Sequence, residues 1–378
     1  MSKIVAVEAA TAVIPLDSRT GFSTRTVDDR HYGLVRVHTD DGLTGIGFCY
    51  AGHAAGHLVA HAVLDLLAPV LLGEDPQRVS GLWGRMYSES LLHGRTGSVM
   101  RAISALDIAL WDRNARAAGQ PLWKHLGGML GDSVPAYASG GYYLDGKGPD
   151  QLAQETAEHV ANGFTAVKIK VGRVAVADDV TRLAAVRDAV GAQVEVMLDA
   201  NNAWPDLWSA VRAAEAFAPY RPAWLEEPFS PDHARLHSTL AAHTPIPIAT
   251  GEIEAGRWRH AELLAGGGVQ VLQTDAAVCG GITEWRRIAA IADAQGVSMA
   301  PHWFHDLHVH LVGSTPNASW VEFFADDQVL NFRRLVTDQL TVTDGRAVLP
   351  TQPGLGFQFD PDATKTYTAD HPWERRER

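Results

Sequence analysis

Within Val167-Lys168-Ile169-Lys170-Val171, two lysines alternate with residues typical of a buried strand. Side chains on a strand change faces at every residue, so Lys168 and Lys170 point one way while Val167, Ile169 and Val171 point the other. Two ammonium groups on one inward face repel each other and lose solvation. Both effects lower a lysine pKa toward the range of a base working at neutral pH. A solvent-facing strand could carry the same pattern, but the rest of the chain argues for an inward one.

A series of short apolar runs ends in charged groups: Val194–Asp199 in Asp199, Ala223–Glu226 in Glu226, Ile246–Glu252 in Glu252, Val269–Asp275 in Asp275, Val297–His302 in His302 and Ser319–Glu322 in Glu322. Asp199, Glu226 and Glu252 are hard oxygen donors, a set that suits Mg²⁺ with its oxygen shell and retained waters or substrate oxygens. Without a cation, three converging carboxylates would repel strongly. Asp275 behind His302 would fix the imidazole tautomer and raise its basicity. Together these parts suggest proton abstraction next to a carboxylate through an enediolate. Lys170 on one side and His302 on the other could each remove the α-proton or donate one. Lys168 would neutralise carboxylate charge. Glu322, if protonated, could donate a hydrogen bond to the enediolate oxygen. Asn201, in phase with Asp199, could meet a substrate hydroxyl. Return of the proton to the α-carbon makes a racemase or epimerase; protonation of a β-hydroxyl makes a dehydratase.

Elements must bring these groups together. Between the runs lie helical faces, such as Ile282, Trp285, Ile288 and Ile291, and Leu183, Val186 and Val190 beside Val180. The alternation repeats at the spacing of right-handed βαβ units in a parallel sheet. In a (β/α)8 barrel, catalytic groups sit at the carboxyl ends of several strands. Lys170, Asp199, Glu226, Glu252, Asp275, His302 and Glu322 would then line a single polar mouth. The fold class expected is α/β, a (β/α)8-type barrel with an α+β capping domain. Residues 1–126 form the cap: a strand over Ile4–Ile14, a hairpin of His31–His38 and Leu43–Cys49 around an Asp-Gly turn, and helices at 56–72, 79–91 and 99–118. The barrel spans 127–329, and 330–378 returns to the cap. The charged tail Trp373–Arg378 is expected to fray.

At 378 residues the chain exceeds one ordinary core. It is 46% hydrophobic and 20% charged, with a net charge of −12 that argues against nucleic acid as the main partner. The partner expected is a small carboxylate, which needs local positive charge from lysines or a metal. Cys49 and Cys279 cannot make a disulfide framework, which points to a reducing cytoplasm. Glu8 interrupts the first apolar run, so no signal peptide is expected, and no segment reads as a membrane span.

The chain resembles the enolase superfamily, specifically its mandelate racemase subgroup. The resemblance rests on Arg101–Asp112, Lys168-Ile-Lys170, Asp199-Ala-Asn201, Leu225-Glu226-Glu227-Pro228, Gly251-Glu252, Asp275 with Gly280-Gly281, Pro301-His302 and Trp320-Val-Glu322. The use of a lysine or histidine base with Mg²⁺ is general to that superfamily. The resemblance implies an enolase-like barrel under a capping domain and one essential Mg²⁺ per subunit. It also implies that Lys170 and the His302–Asp275 dyad are the acid/base groups. The segment 302–322 is most similar to galactarate/talarate dehydratases and mandelate racemase. A homo-oligomer, dimer to octamer, is expected. In this family, capping loops close over the mouth; here they should be about 16–30 and 50–56. The polarity of the first favours a polyhydroxylated acid, and Arg19 or Arg25 could bind the distal carboxylate of a diacid sugar. The expected activity is therefore an Mg²⁺-dependent acid-sugar dehydratase. Racemisation, epimerisation or sugar-lactone cycloisomerisation is the alternative, and a catalytically silent binding protein the remote one.

Overall fold

The computed structural model describes residues 2–377. Strands β1 (Ile4–Phe22), β2 (Arg25–Thr39) and β3 (Thr44–Tyr50) form an antiparallel meander, with β2 and β3 joined through the expected Asp-Gly turn. The helix Gly97–Ala117 packs across β3 with most of its length buried. That close approach needs Gly45 and Gly47. A Cβ there would sit 2.0 Å from the Ala109 carbonyl oxygen and 1.9 Å from that of Ala105, respectively.

The segment 16–30, expected as a loop, is instead the far end of a long twisted hairpin. After a register shift between Pro15 and Thr20, the pairs Thr20–Val27, Gly21–Thr26 and Phe22–Arg25 carry β1 and β2 to a tip at Ser23-Thr24. β-Branched Thr20, Thr26 and Val27 suit this extension.

Eight parallel strands make the barrel: β4 (Ser133–Ser139), β5 (Ala166–Lys170), β6 (Glu195–Asp199), β7 (Leu225–Glu226), β8 (Ile248–Thr250), β9 (Val271–Leu272), β10 (Ser298–Met299) and β11 (Val321–Phe323). Neighbours pair in chain order from β4 to β10, and β11 returns to β4. The bridge Met299–Ala318 links the β10 and β11 segments. The inward positions alternate as the period-two argument requires. Ala166, Met197, Trp224 and Ala249 form a buried apolar floor with Tyr137 and Ala300, while the polar groups lie nearer the carboxyl ends. The outward residues Val167, Ile169, Val196 and Leu198 pack with Leu183 and Val186 of the surrounding helices.

After β11 the chain does two things. The hairpin of β12 (Val342–Thr343) and β13 (Arg346–Val348) joins β4 antiparallel. Strand β14 (Glu374–Glu377) pairs with Ala6–Ala9 of β1. The tail expected to fray is thus a paired edge strand. Arg375 donates to Glu8 at 2.7 Å, and Arg36 lies 4.0 Å over the Trp373 ring; Arg378 lies outside the described residues. No helix among the described residues is long and apolar enough to cross a membrane.

Candidate active site

Lys168 and Lys170 project from β5 toward the carboxyl rim, and the parallel register places Lys170 beside Asp199 and Asp199 beside Glu226. Lys168 is 1% exposed. Its ammonium donates to Glu226 at 2.7 and 2.9 Å and pairs with Glu322 at 2.7 Å. Burial disfavours its charge, yet these carboxylates outweigh burial and raise its pKa well above the ordinary lysine value. The same competition, burial against Asp199, raises Lys170, which forms a short hydrogen bond to Asp199 Oδ2. The lowered lysine pKa expected from two neighbouring ammonium groups is therefore corrected: carboxylates from the next strands stand between the lysines and their mutual repulsion.

Glu322 also departs from expectation. Burial opposes its ionisation, but Lys168, His302 and Lys170 prevail and hold its carboxyl down at about 2. The Trp303 N–H donates to it at 2.7 Å. It is an ionised acceptor that fixes Lys168 and the backbone at Trp303, not a protonated donor.

His302 Nδ1 lies 3.2 Å from Asp275 Oδ2, and its Nε2 lies 3.3 Å from Glu252 Oε1. Asp275 is itself held, because its Oδ1 caps the short helix Ala276–Cys279 through the Ala277 N–H at 2.7 Å. Behind it, His308 Nε2 accepts from the Ala276 N–H at 3.1 Å. Burial keeps His308 down at about 4 and hence neutral at ordinary pH. His305, His308 and His310 are all buried on the helix His305–Val312.

Asp199, Glu226 and Glu252 come from successive strand ends and supply only oxygen donors. Burial and the neighbouring carboxylates push Glu252 well above the usual carboxyl range, and Glu252 Oε2 is buried without a hydrogen-bond partner among the described residues. Burial and Asp199 likewise raise Glu226. Such crowding is what a hard divalent cation relieves, so the donor chemistry fits Mg²⁺. The three are not gathered as an unpaired ligand set, since Lys168 and Lys170 hold two of them. Among the described residues no group of three or more His, Cys, Asp or Glu side chains is drawn together as a ready metal cage.

A cavity of about 340 Å³ is lined on the barrel side by Lys170, Asn201, Glu252, Asp275 and His302. Asn201 reaches it, but its backbone N–H and side-chain amide both donate to Asp199, at 2.9 and 3.2 Å. Arg25 lines the cavity from the tip of the capping hairpin. Arg19 does not: it is exposed and pairs with Asp28 at 3.3 Å, so its expected role is withdrawn. In a strand, Arg19 falls on the solvent side. Several lining residues were given no role from the sequence: Arg30 and Tyr50 stood only at the edges of the expected capping loops, Arg101 and Glu227 only within motifs, and Tyr142 and Trp303 were not singled out. Lys170 lies 5.0 Å from the centre of the Tyr142 ring. Glu227, buried next to Glu226, is raised to about 8 by desolvation and by Asp199 and Glu226. The double acid Glu226-Glu227 before proline was the available signal for Glu227. Nothing local marks Tyr142 or Trp303.

Known proteins resemble this chain in sequence and in fold. Residues 3–127 match the family model for the N-terminal domain of mandelate racemase / muconate lactonizing enzyme, and residues 151–363 match the enolase C-terminal domain-like model. The chain is 35% identical over 333 residues to L-talarate/galactarate dehydratase of Salmonella typhimurium, covering 88% of this chain and 81% of the relative. It is 34% identical over 348 residues to 3,6-anhydro-alpha-L-galactonate cycloisomerase of Streptomyces coelicolor, covering 92% and 94%. The crystal structure of the Salmonella dehydratase liganded with Mg and L-lyxarohydroxamate superposes with a TM-score of 0.91 at 31% identity, over 100% of this chain and 95% of that one. The chain belongs to the mandelate racemase subgroup of the enolase superfamily.

Proposed function

We propose that this protein is an acid-sugar dehydratase that uses Mg²⁺. It removes the proton α to a carboxylate and eliminates the β-hydroxyl to give a 2-keto-3-deoxy sugar acid, with a galactarate- or talarate-like diacid as the favoured substrate. The observation that carries this reading is the placing of Lys170 and the Asp275-backed His302 on the wall of one cavity beside the acidic strand ends.

Bound by Asp199, Glu226 and Glu252, Mg²⁺ would supply positive charge against the substrate carboxylate and so acidify the adjacent C–H. The chain's own groups do the rest. Lys168, locked between Glu226 and Glu322, adds fixed positive charge below the carboxylate. One of Lys170 and His302 accepts the α-proton, the choice following the configuration at the α-carbon; Lys170 could accept it only after giving up the proton that Asp199 holds on it. The electron pair left on carbon forms the enediolate. Its collapse expels the β-hydroxyl, which the other group protonates so that water leaves, and the enol then ketonises. Asp275 keeps the His302 imidazole oriented throughout. Two buried free cysteines fit a reducing cytoplasm, and we read the working form as a homo-oligomer.

Incubation with Mg²⁺ and a panel of aldaric and aldonic acids, assayed for 2-keto-3-deoxy products, tests the reading. Formation of such a product from at least one acid is expected. Exchange of the α-proton in D₂O without dehydration would replace it with a racemase or epimerase. Ring closure or opening, seen by NMR, would favour the cycloisomerase reading, which the Streptomyces relative supports.

A further inference from the structure

The cavity has two poles. Barrel residues give it an acidic floor with Lys170, whereas the capping domain contributes Arg25, Arg30 and Arg101. Arg25 is exposed, and Arg101 Nε donates to the Tyr50 carbonyl at 2.9 Å. Arg30 is the built feature. It sits on β2 with 2% exposure, and its guanidinium carbon lies 4.5 Å from the centre of the Trp303 ring and 5.5 Å from that of Tyr50. Its Nη1 donates to the Tyr50 hydroxyl at 3.2 Å, while Nε is buried with no partner among the described residues. Among those residues it also forms no ion pair with any carboxylate. An arginine keeps its charge, and a buried charge without a counter-ion is costly. Aromatic faces offset part of that cost but cannot satisfy the guanidinium's planar donors, which match a carboxylate.

We propose that Arg30 is the specificity-determining residue that binds the second, distal carboxylate of an aldaric acid whose reacting carboxylate lies at the acidic pole. This rests on the dehydratase reading and assigns its substrate class to one side chain. The rings that hold Arg30 also tie it to the chemistry: Trp303 stacks on His302 at 5.6 Å between centroids and on Tyr50 at 5.6 Å. The separation between the two poles is thereby fixed by packed side chains. An aldonic acid ends in a neutral hydroxymethyl group and leaves the buried guanidinium without its anion. A site built for a polar group rejects the analogue lacking it.

Two substrate pairs make the test, galactarate with galactonate and glucarate with gluconate, since members of each pair differ only at the terminal carbon. Turnover and α-proton exchange give kcat/KM for each, and calorimetry with Mg²⁺ present gives affinity independently of turnover. The wild-type protein is expected to prefer a diacid by a factor on the order of 10² or more, and Arg30→Gln to reduce that ratio by a similar factor, mainly through KM. Arg30→Lys, which keeps the charge but loses the fork, should fall between, and it carries the test if Arg30→Gln fails to fold. An unchanged ratio with both activities lowered together would make Arg30 a packing residue and overturn the proposal. So would equal wild-type affinity for both members of each pair, or binding of neither. Diacid-selective binding that depends on Arg30, without any exchange or turnover, would sustain this inference while the dehydratase reading fell.

Discussion

Lys168 and Lys170 are two residues apart on one strand face, yet their surroundings assign them different work. Lys168 is enclosed by Glu226 and Glu322, where it would serve as fixed charge, whereas Lys170 reaches the cavity. Replacing Lys170 or His302 by Ala should lower turnover by a factor on the order of 10² to 10⁴ with the fold retained, read by steady-state kinetics beside circular dichroism. A loss below about tenfold for both would remove them as the acid/base pair. Glu252→Gln keeps the shape but removes a carboxyl oxygen that has no partner among the described residues. The thermal stabilisation that Mg²⁺ gives the wild-type protein should shrink, because stabilisation follows affinity. Undiminished stabilisation would strike Glu252 from the ligand set. Glu252 and His302 stood out because each ends an apolar run, where a charge has no packing role, and the lysines because they alternate with buried-strand residues. Their protonation was not legible. It depends on which neighbour the register brings alongside, and Lys170 opposite Asp199 reverses the sign expected from the lysine pair alone.

At the scale of elements, the barrel strands were readable as short apolar runs ending in charged residues, β5 from its period-two alternation, and the helices from their apolar faces. The length of the first hairpin was not. Asp17, Ser18 and Gly21 have poor strand propensity, and only pairing with the other arm makes the segment extended. Glycines divide by what surrounds them. Gly45 and Gly47 let the helix Gly97–Ala117 touch β3, so Gly47→Ala must push backbone against backbone. It should cost about 1–3 kcal/mol or more, as overpacking does. Gly84, within the helix Val79–Ser90, has nothing within 4 Å of where a Cβ would stand. Gly84→Ala should therefore stabilise by roughly 0.5–1 kcal/mol through helix propensity. Denaturant midpoints of the two variants should move in opposite directions. Movement in the same direction would mean that the helix–sheet spacing can relax.

At the scale of the whole molecule, the cavity exists because the capping hairpin lies on the barrel mouth, a non-local docking that the family resemblance implies but that no single stretch of sequence shows. Arg30, Tyr50 and Trp303 become neighbours only through it. The docking has an identifiable clasp. Arg173, three residues beyond Lys170, donates from Nη1 to the carbonyls of Phe22 at 2.8 Å and Arg25 at 3.0 Å, and from Nη2 to the Thr26 hydroxyl at 3.1 Å. Beside it, Gly21 and Tyr143 exchange backbone hydrogen bonds at 2.9 and 3.2 Å. Gly21 permits the approach, since a Cβ there would meet Arg173 Nη1 at 2.8 Å. Arg173→Met keeps the stem but deletes three hydrogen bonds, each worth about 1 kcal/mol net and less where exposed. The hairpin tip should then open more often while the barrel stays intact. Amide exchange over residues 20–27 should quicken by about tenfold or more, the factor that ~1.4 kcal/mol of local opening energy commands. KM should rise with kcat changed less, because Arg173 holds the cover and touches neither Lys170 nor His302. Unchanged exchange at the tip would mean that Ser23 and Thr24, bonded to the Val171 and Asn201 carbonyls, suffice to hold the hairpin closed.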